Sequence, residues 1–407
     1  MCEHRGFNCI MPPHLLDRLV QCDDPVVRDA AIRTLVASAE MRGERSMMTA
    51  VAAGFGTSTK GRRTIFDTAH HESLTNADLK RTETSALSAD DAVNRAFDGL
   101  GTTRRFFNEV FDRDSIDGMG MRLDAYVHYG DRFNNAFWDG RHMVFGDGDG
   151  EMFADFTQSL SVIGHELAHG VTENSAGLAY HNQSGALNES ASDVFGSLIE
   201  QWSQSQTVET ARWLIGPEIF TPGVAADALR SMKDPGHAYD NPLMGQDPQP
   251  GHMNDFVVLP DTARGDNGGV HINSGIPNKA FYLTAVNIGG RAWEAPGQIW
   301  YESLKASTST TEFQEFAETT AAKAAQLFGI DEQQAVVDAW RQVGIRVAGG
   351  QPRGLVPAAE DSLDALQKQI ECLSADVRAL IRELHGKSGT KPKATSTGSH
   401  GRPKVKS

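Results

Sequence analysis

Two histidines four residues apart with a glutamate between them constrain this chain more than any other feature. In Val162-Ile-Gly-His-Glu-Leu-Ala-His-Gly-Val, His165 and His169 stand at i and i+4. On a helix that spacing turns about 400°, so both imidazoles leave one face and can reach a single zinc ion at roughly 2.0–2.1 Å. Glu166 lies beside them, where a carboxylate can take a proton from water. Such a site needs a third protein ligand and one open position. Gly185-Ala-Leu-Asn-Glu-Ser-Ala-Ser-Asp offers the ligand, because Glu189 and Asp193 are again i and i+4 and share a face. Two antiparallel helices joined through Gly177 to Ser184 would bring Glu189 to the metal. Asp193 would then accept a hydrogen bond from the outer nitrogen of a ligand histidine and set its tautomer. On its own, each pair is more simply read as polar groups on a solvated helix face; the two together are not.

Composition narrows the partners. With 38 Lys+Arg against 53 Asp+Glu the net charge is −15, which disfavours nucleic acid and anionic membranes as generic partners. No segment approaches the ~18–20 apolar residues of a membrane span. The first residues, MCEHRGFNCIMPPHLL, lack the apolar core of a secretory signal. Cys2, Cys9, Cys22 and Cys372 leave everything between Cys22 and Cys372 without disulfide or cysteine-zinc chemistry.

The chain divides by pattern. Residues 12–45 carry apolar residues at helical spacing, broken near Asp23-Asp24-Pro25, and a Gly/Ser/Thr-containing stretch from Arg42 to Arg63 suggests an exposed connector. From Thr64 the pattern mixes strand and helix, with a helical run over Ser88–Val110 and strand-like alternation at Leu123-Asp-Ala-Tyr-Val. After Ser159 it is predominantly helical to about Val347. Leu363, Leu366, Ile370, Leu373, Val377, Leu380 and Leu384 repeat at alternating spacings of three and four, a short heptad seam able to self-associate or to pack on the rest of the chain. The last segment, from Lys387, holds six Lys/Arg and no acid, so disorder is its default.

These motifs carry a family resemblance. Asn134-Asn-Ala-Phe-Trp, Gly146-Asp-Gly-Asp-Gly, His165-Glu-Leu-Ala-His, Ala176-Gly-Leu-Ala-Tyr, Gly185-Ala-Leu-Asn-Glu-Ser, Leu229-Arg-Ser-Met and Asp266-Asn-Gly-Gly-Val-His-Ile-Asn-Ser-Gly are ordered as in the thermolysin-like zinc metallopeptidases across residues 64–347. The 19 residues between His169 and Glu189 separate this chain from aminopeptidases that share H-E-x-x-H. The start, Pro12-Pro13-His-Leu-Leu, resembles the short precursor segment of the protealysin-type subgroup.

The resemblance implies an α+β fold of two lobes, β-rich α/β over 64–160 and α-helical over 161–347, with one catalytic zinc in the cleft between them. It also implies a propeptide over 1–50 and a cleavable linker over 51–63, and the chain's own pattern adds a second linker over 348–360, the heptad helix over 361–386 and a basic tail over 387–407. His165, His169 and Glu189 look like the metal ligands and Glu166 like the general base. His271 and Tyr180 resemble the donors that stabilise the oxyanion, Asp266 would orient His271, and Arg230 would hold a substrate carbonyl. Asn135, Ala136 and Trp138 resemble the edge that binds peptide backbone by strand addition. The pocket for the residue after the scissile bond would include Phe153, Phe156, Val162, Ile215, Ile219 and Leu229, which implies cleavage before bulky apolar residues. The positions of the family's double calcium site fall on Ser161, Glu200, Arg212, Leu214 and Pro217, so that site reads as lost, with Thr221 and Asp227 left for a weaker, optional calcium.

The implied product is a zinc endopeptidase made as a zymogen, acting on peptides and proteins and restrained by its own propeptide. Relatives of this kind are secreted, whereas the sequence start leaves signal-independent export or cytoplasmic retention. The rival reading is an inactive protease-like scaffold that binds partners through the heptad helix, and the intact motif residues disfavour it. A thiol switch at Cys9 and an exopeptidase are weaker alternatives, the latter without a motif to capture a chain terminus.

Overall fold

The computed structural model describes residues 8–48 and 63–347. Residues 51–62 of the expected linker, the 348–360 linker, the 361–386 heptad helix and the 387–407 tail lie outside the described residues.

The N-terminal segment is a short strand, β1 (Asn8–Cys9), followed by α1 (Pro13–Leu19) and α2 (Pro25–Met48). Pro13 and Pro25 each open a helix, where the missing N–H has no intrahelical partner to lose. Between the helices the Val26 amide donates to the Asp24 carboxylate at 2.8 Å. Helix α2 runs further than expected: the connector anticipated from Arg42 begins inside it. Met41-Arg-Gly-Glu-Arg-Ser-Met-Met holds enough helix-forming residues to carry the helix through Gly43 to Met48.

Next come β2 (Arg63–Asp67), β3 (Asp78–Thr82), α3 (Asp91–Phe111), β4 (Leu123–Val127), β5 (Ala136–Trp138) and β6 (His142–Phe145). With β1 the strands form a six-stranded mixed sheet in the order β1-β5-β6-β4-β2-β3. Strand β4 is parallel to both β2 and β6, and the remaining pairs are antiparallel. The alternation read at Leu123 appears as Leu123, Ala125 and Val127 buried with Asp124 and Tyr126 half-buried. Helix α3 packs on this sheet and buries Val93, Ala96, Phe97, Leu100, Phe107 and Phe111, the last two with their rings against Phe195. Asp90 caps its start by accepting the Ala92 amide at 2.9 Å, and Asp112 ends it in a left-handed conformation.

The helical lobe is built on α4 (Leu160–Glu173) and α5 (Asn182–Ser203), followed by α6 (Asp266–Asn273), α7 (Gly275–Ile288), α8 (Ala295–Ala306), α9 (Phe313–Leu327) and α10 (Ile330–Gln342). Two small antiparallel pairs, β7 (Leu214–Ile215) with β8 (Arg230–Ser231) and β9 (Asp240–Asn241) with β10 (Gly245–Gln246), interrupt them. Every residue from Ser161 to Thr172 and from Ser184 to Gln201 is buried, so α4 and α5 are core helices rather than surface ones. Their approach depends on Gly196, where a Cβ would lie 2.5 Å from the Ser161 carbonyl oxygen. Among the described residues, no helix is long and apolar enough to cross a membrane.

Candidate metal centre and active-site cleft

Helices α4 and α5 run antiparallel, since His165 meets Asp193 while His169 meets Asn188. That alignment brings His165, His169 and Glu189 together, with ligand-type atoms of all three within 4.8 Å of one another and all three side chains buried. The donor set fits a cation. His165 Nδ1 donates to the Asp193 carboxylate at 2.8 Å and His169 Nδ1 to Asn188 Oδ1 at 2.8 Å, with Ser192 Oγ also 3.0 Å away. Both Nε2 atoms therefore carry bare lone pairs, yet they stand 3.0 Å apart. Glu189 Oε1 lies 3.4 Å from His169 Nε2 and Oε2 lies 3.5 Å from His165 Nε2. Among the described residues, buried Oε2 has no hydrogen-bond partner. Two lone pairs and an underused carboxylate oxygen converging on one point call for a positive charge, and N₂O ligation suits zinc.

Electrostatics favour that state. Burial lowers the pKa of His165 to about 4 and of His169 to about 3, in each case against the pull of a neighbouring carboxylate, so both rings are neutral at neutral pH, the form a metal would need. Burial by itself would raise Asp193, but the Arg230 guanidinium and His165 hold it well below the usual carboxylate range. Asp193 is a hub: it accepts from His165, from Arg230 Nε and Nη2 at 2.8 Å each, and from Asn278 Nδ2 at 2.8 Å. Asn188, Ser192 and Asn278 were not anticipated from the sequence. Asn188 and Ser192 were legible in principle, since they repeat the i, i+4 spacing of Glu189 and Asp193 one residue earlier.

Glu166 sits on the same turn, its Oε2 accepting the Trp138 amide at 3.0 Å. Burial and the nearby Glu189 charge push its pKa well above the carboxylate range, while the Trp138 amide, Arg230 and the Ile10 amide pull the other way. Across the cleft, Tyr180 OH hydrogen-bonds Glu189 and lies 3.2 Å from His271 Nε2. Its pKa is raised well above normal by burial and by Glu189, so it stays a neutral donor. His271 follows a run of left-handed residues, Asp266, Asn267, Gly268 and Gly269. Asn and Gly tolerate that conformation, and the resulting curl lets Asp266 accept both the His271 amide at 2.9 Å and His271 Nδ1 at 2.5 Å. Burial opposes a charge on His271, but Glu189 and Asp266 outweigh it and raise the pKa to about 9.

The six residues expected to line the pocket, Phe153, Phe156, Val162, Ile215, Ile219 and Leu229, are all fully buried. Val162, Ile219 and Leu229 converge on Gly216, where a Cβ would stand 3.3 to 3.5 Å from each. Ile215 pairs with Arg230 across β7 and β8, which sets the guanidinium beside this cluster. The residues expected at the calcium positions are otherwise engaged. Arg212 bridges Glu200 and Glu218, and Ser161 Oγ accepts the Gly216 amide at 3.1 Å. Thr221 Oγ1 donates to the Glu151 carbonyl at 2.5 Å.

The cleft edge is covered by the chain itself. Strand β1 pairs antiparallel with β5, Asn8 opposite Trp138 and Cys9 opposite Phe137. The Ile10 amide donates to the Ala136 carbonyl at 3.2 Å and the Met11 amide to Asn135 Oδ1 at 3.1 Å. Arg230 Nη1 donates to the Ile10 carbonyl at 3.1 Å and His271 Nε2 to the Cys9 carbonyl at 2.9 Å. The Cys9 thiol faces the Met11 carbonyl at 3.6 Å, so it is the carbonyl of Cys9 that meets His271. Apart from the weaker thiol-switch reading of Cys9, nothing in the sequence pattern marked Asn8–Met11 as part of this site.

A mixed-sheet lobe and a helical lobe, with two histidines and a glutamate gathered on adjacent core helices, define a metallopeptidase. Comparison with known proteins agrees. A family model described as thermolysin metallopeptidase, catalytic domain, matches residues 40–173, and one described as thermolysin metallopeptidase, alpha-helical domain, matches residues 176–345. Protease PrtS of Photorhabdus sp. (strain Az29) is 43% identical over 351 residues, covering 85% of this chain and 94% of that protein. An extracellular metalloprotease of Pectobacterium carotovorum subsp. carotovorum is 44% identical over 353 residues, covering 85% of this chain and 98% of that protein. Among solved structures, the precursor of protealysin, a metalloproteinase from Serratia proteamaculans, is 45% identical with a TM-score of 0.75, covering 83% of this chain and 99% of that one. The chain belongs to the thermolysin metallopeptidase family.

Proposed function

We infer that this chain is the zymogen of a zinc endopeptidase that cleaves before bulky apolar residues. The observation that carries the reading is the convergence of His165, His169 and Glu189 beside Glu166. His165, His169 and Glu189 would hold the zinc, and when bound it supplies Lewis-acid polarisation and lowers the pKa of water to about 7. Glu166, whose environment already favours proton uptake, accepts the proton of the attacking water and delivers it to the leaving nitrogen. His271 and Tyr180 donate hydrogen bonds to the developing oxyanion, and Asp266 keeps the His271 ring charged and oriented. Asn135 and Ala136 bind substrate backbone, Trp138 fixes Glu166 through its amide, and Arg230 holds the carbonyl after the scissile bond.

Residues 1–50 act as the propeptide. Their strand β1 and the adjoining Ile10–Met11 backbone occupy the edge that a substrate needs, and the protealysin precursor is the kind of structure this chain resembles. Removal of the propeptide within 51–63 would expose the cleft, and the product works outside the cell, as the name of the Pectobacterium relative states for that protein. Calcium is not required, because Arg212 supplies the positive charge between Glu200 and Glu218.

A peptide-library digest tests this reading. Protein stripped by chelator and restored with zinc should cut internal bonds with Leu, Phe or Ile on the carboxyl side of the cut. Trimming only at peptide ends, or no dependence on zinc, would contradict it.

A further inference from the structure

We propose that Cys9–Ile10 is itself a scissile bond, held in the cleft in the direction and register of a substrate and hydrolysed by the chain's own active site. The proposal rests on the endopeptidase reading above, and it adds a specific bond. Segment Asn8–Met11 does more than obstruct the edge. His271, Ala136, Arg230 and Asn135 each meet a backbone atom of this segment, and the four agree on one register. The carbonyl at the oxyanion donor is that of Cys9, 2.9 Å from His271 Nε2. The next nitrogen, that of Ile10, donates to the Ala136 carbonyl at 3.2 Å and also bears on the Glu166 carboxylate. The next carbonyl, that of Ile10, accepts from Arg230 at 3.1 Å, and the following amide, that of Met11, donates to Asn135 Oδ1 at 3.1 Å. The side chain between these anchors is Ile10, fully buried in the main apolar core. It is a bulky apolar residue, the kind the pocket is read to prefer.

The reaction consumes one water. Its oxygen adds to the Cys9 carbonyl carbon, and the carbon–nitrogen bond to Ile10 breaks. Glu166 carries a water proton to the Ile10 nitrogen, leaving a Cys9 carboxylate and an Ile10 ammonium. Residues 1–9 leave first. The new terminus at Ile10 keeps the Arg230, Asn135 and apolar anchors, so a second step is needed to clear the cleft.

The test uses the full chain, purified metal-free and then given zinc. Intact mass and N-terminal sequencing should show loss of residues 1–9 and a new Ile10 terminus, at a rate independent of protein concentration. Ile10→Asp should slow this cut by about 100-fold, since a charge replaces an apolar pocket filler, and Ile10→Leu should restore it. In metal-free protein, hydrogen exchange should find the Ile10 and Met11 amides protected in the wild type and unprotected in Ile10→Asp. A separate fluorogenic peptide reports endopeptidase activity in the same samples. If that peptide is hydrolysed while the Cys9–Ile10 bond persists, the proposal is overturned and the endopeptidase reading stands. If the peptide is not hydrolysed even after residues 1–62 have been removed, the endopeptidase reading falls and takes the proposal with it.

Discussion

Asp193 is the residue on which the metal centre and the substrate edge both lean. It orients His165 and neutralises Arg230, and all of its partners are buried. Asp193→Asn should weaken zinc affinity by about 10- to 100-fold, as loss of the carboxylate behind a ligand histidine generally does. It should also destabilise the fold by about 3–5 kcal/mol, because the Arg230 charge is left buried without its partner. A zinc competition titration and a melting curve check the two parts. A second residue-level prediction concerns Arg212: adding a calcium-selective chelator should leave melting temperature and activity unchanged, whereas Arg212→Ala should lower the melting temperature by leaving Glu200 and Glu218 facing each other. Residues at this scale were legible in the sequence where spacing speaks for them. His165, His169, Glu189 and Asp193 follow helical periodicity, but Asn278 reaches Asp193 from a helix 85 residues away and carries no local signal.

At the scale of elements, the centre depends on how closely α4 and α5 approach. Gly196→Ala would press a methyl group against the Ser161 carbonyl and the His165 backbone, at 2.5 and 3.1 Å. Separating the helices should cost about 1–3 kcal/mol, and it should weaken zinc binding in parallel, since the ligands come from both helices. Calorimetric melting with and without zinc measures the two effects.

Helix α1 should respond to pH. His14 is half-buried there with Nε2 3.3 Å from the Tyr239 hydroxyl. Burial lowers its pKa from 6.5 to about 4, with Asp266 opposing and His271, Arg230 and Arg18 adding to the shift. The docked segment thus binds fewer protons than the released one between pH 6.5 and about 4, and acidification through that window should favour release by up to about tenfold per pH unit. Limited proteolysis of the N-terminal segment in metal-free protein should therefore be faster at pH 5 than at pH 7, and His14→Gln should flatten the difference. Elements were legible in proportion to their length. Core helices and β4 announced themselves by period, whereas β1 is two residues long and exists only because β5 offers it an edge.

For the whole molecule, composition separated regions that the fold then used differently. The mixed-pattern stretch became a mixed sheet with α3 across it, and the stretch after Ser159 became a helical lobe, as expected. The N-terminal segment reads in sequence as two short amphipathic helices of a propeptide. In the structure its strand joins the catalytic sheet and Ile10 joins the main apolar core, because hydrogen-bonding edges and buried pockets are properties of the assembled fold rather than of local pattern. The central claim is that His165, His169 and Glu189 hold zinc while Glu166 moves the proton. The most direct test is Glu166→Gln, measured for bound zinc by elemental analysis and for hydrolysis of an internal-bond peptide after residues 1–62 have been removed. One zinc per chain, with hydrolysis reduced by about 100-fold or more, is the predicted result. Wild-type rates in that variant, or loss of the zinc along with the activity, would contradict it.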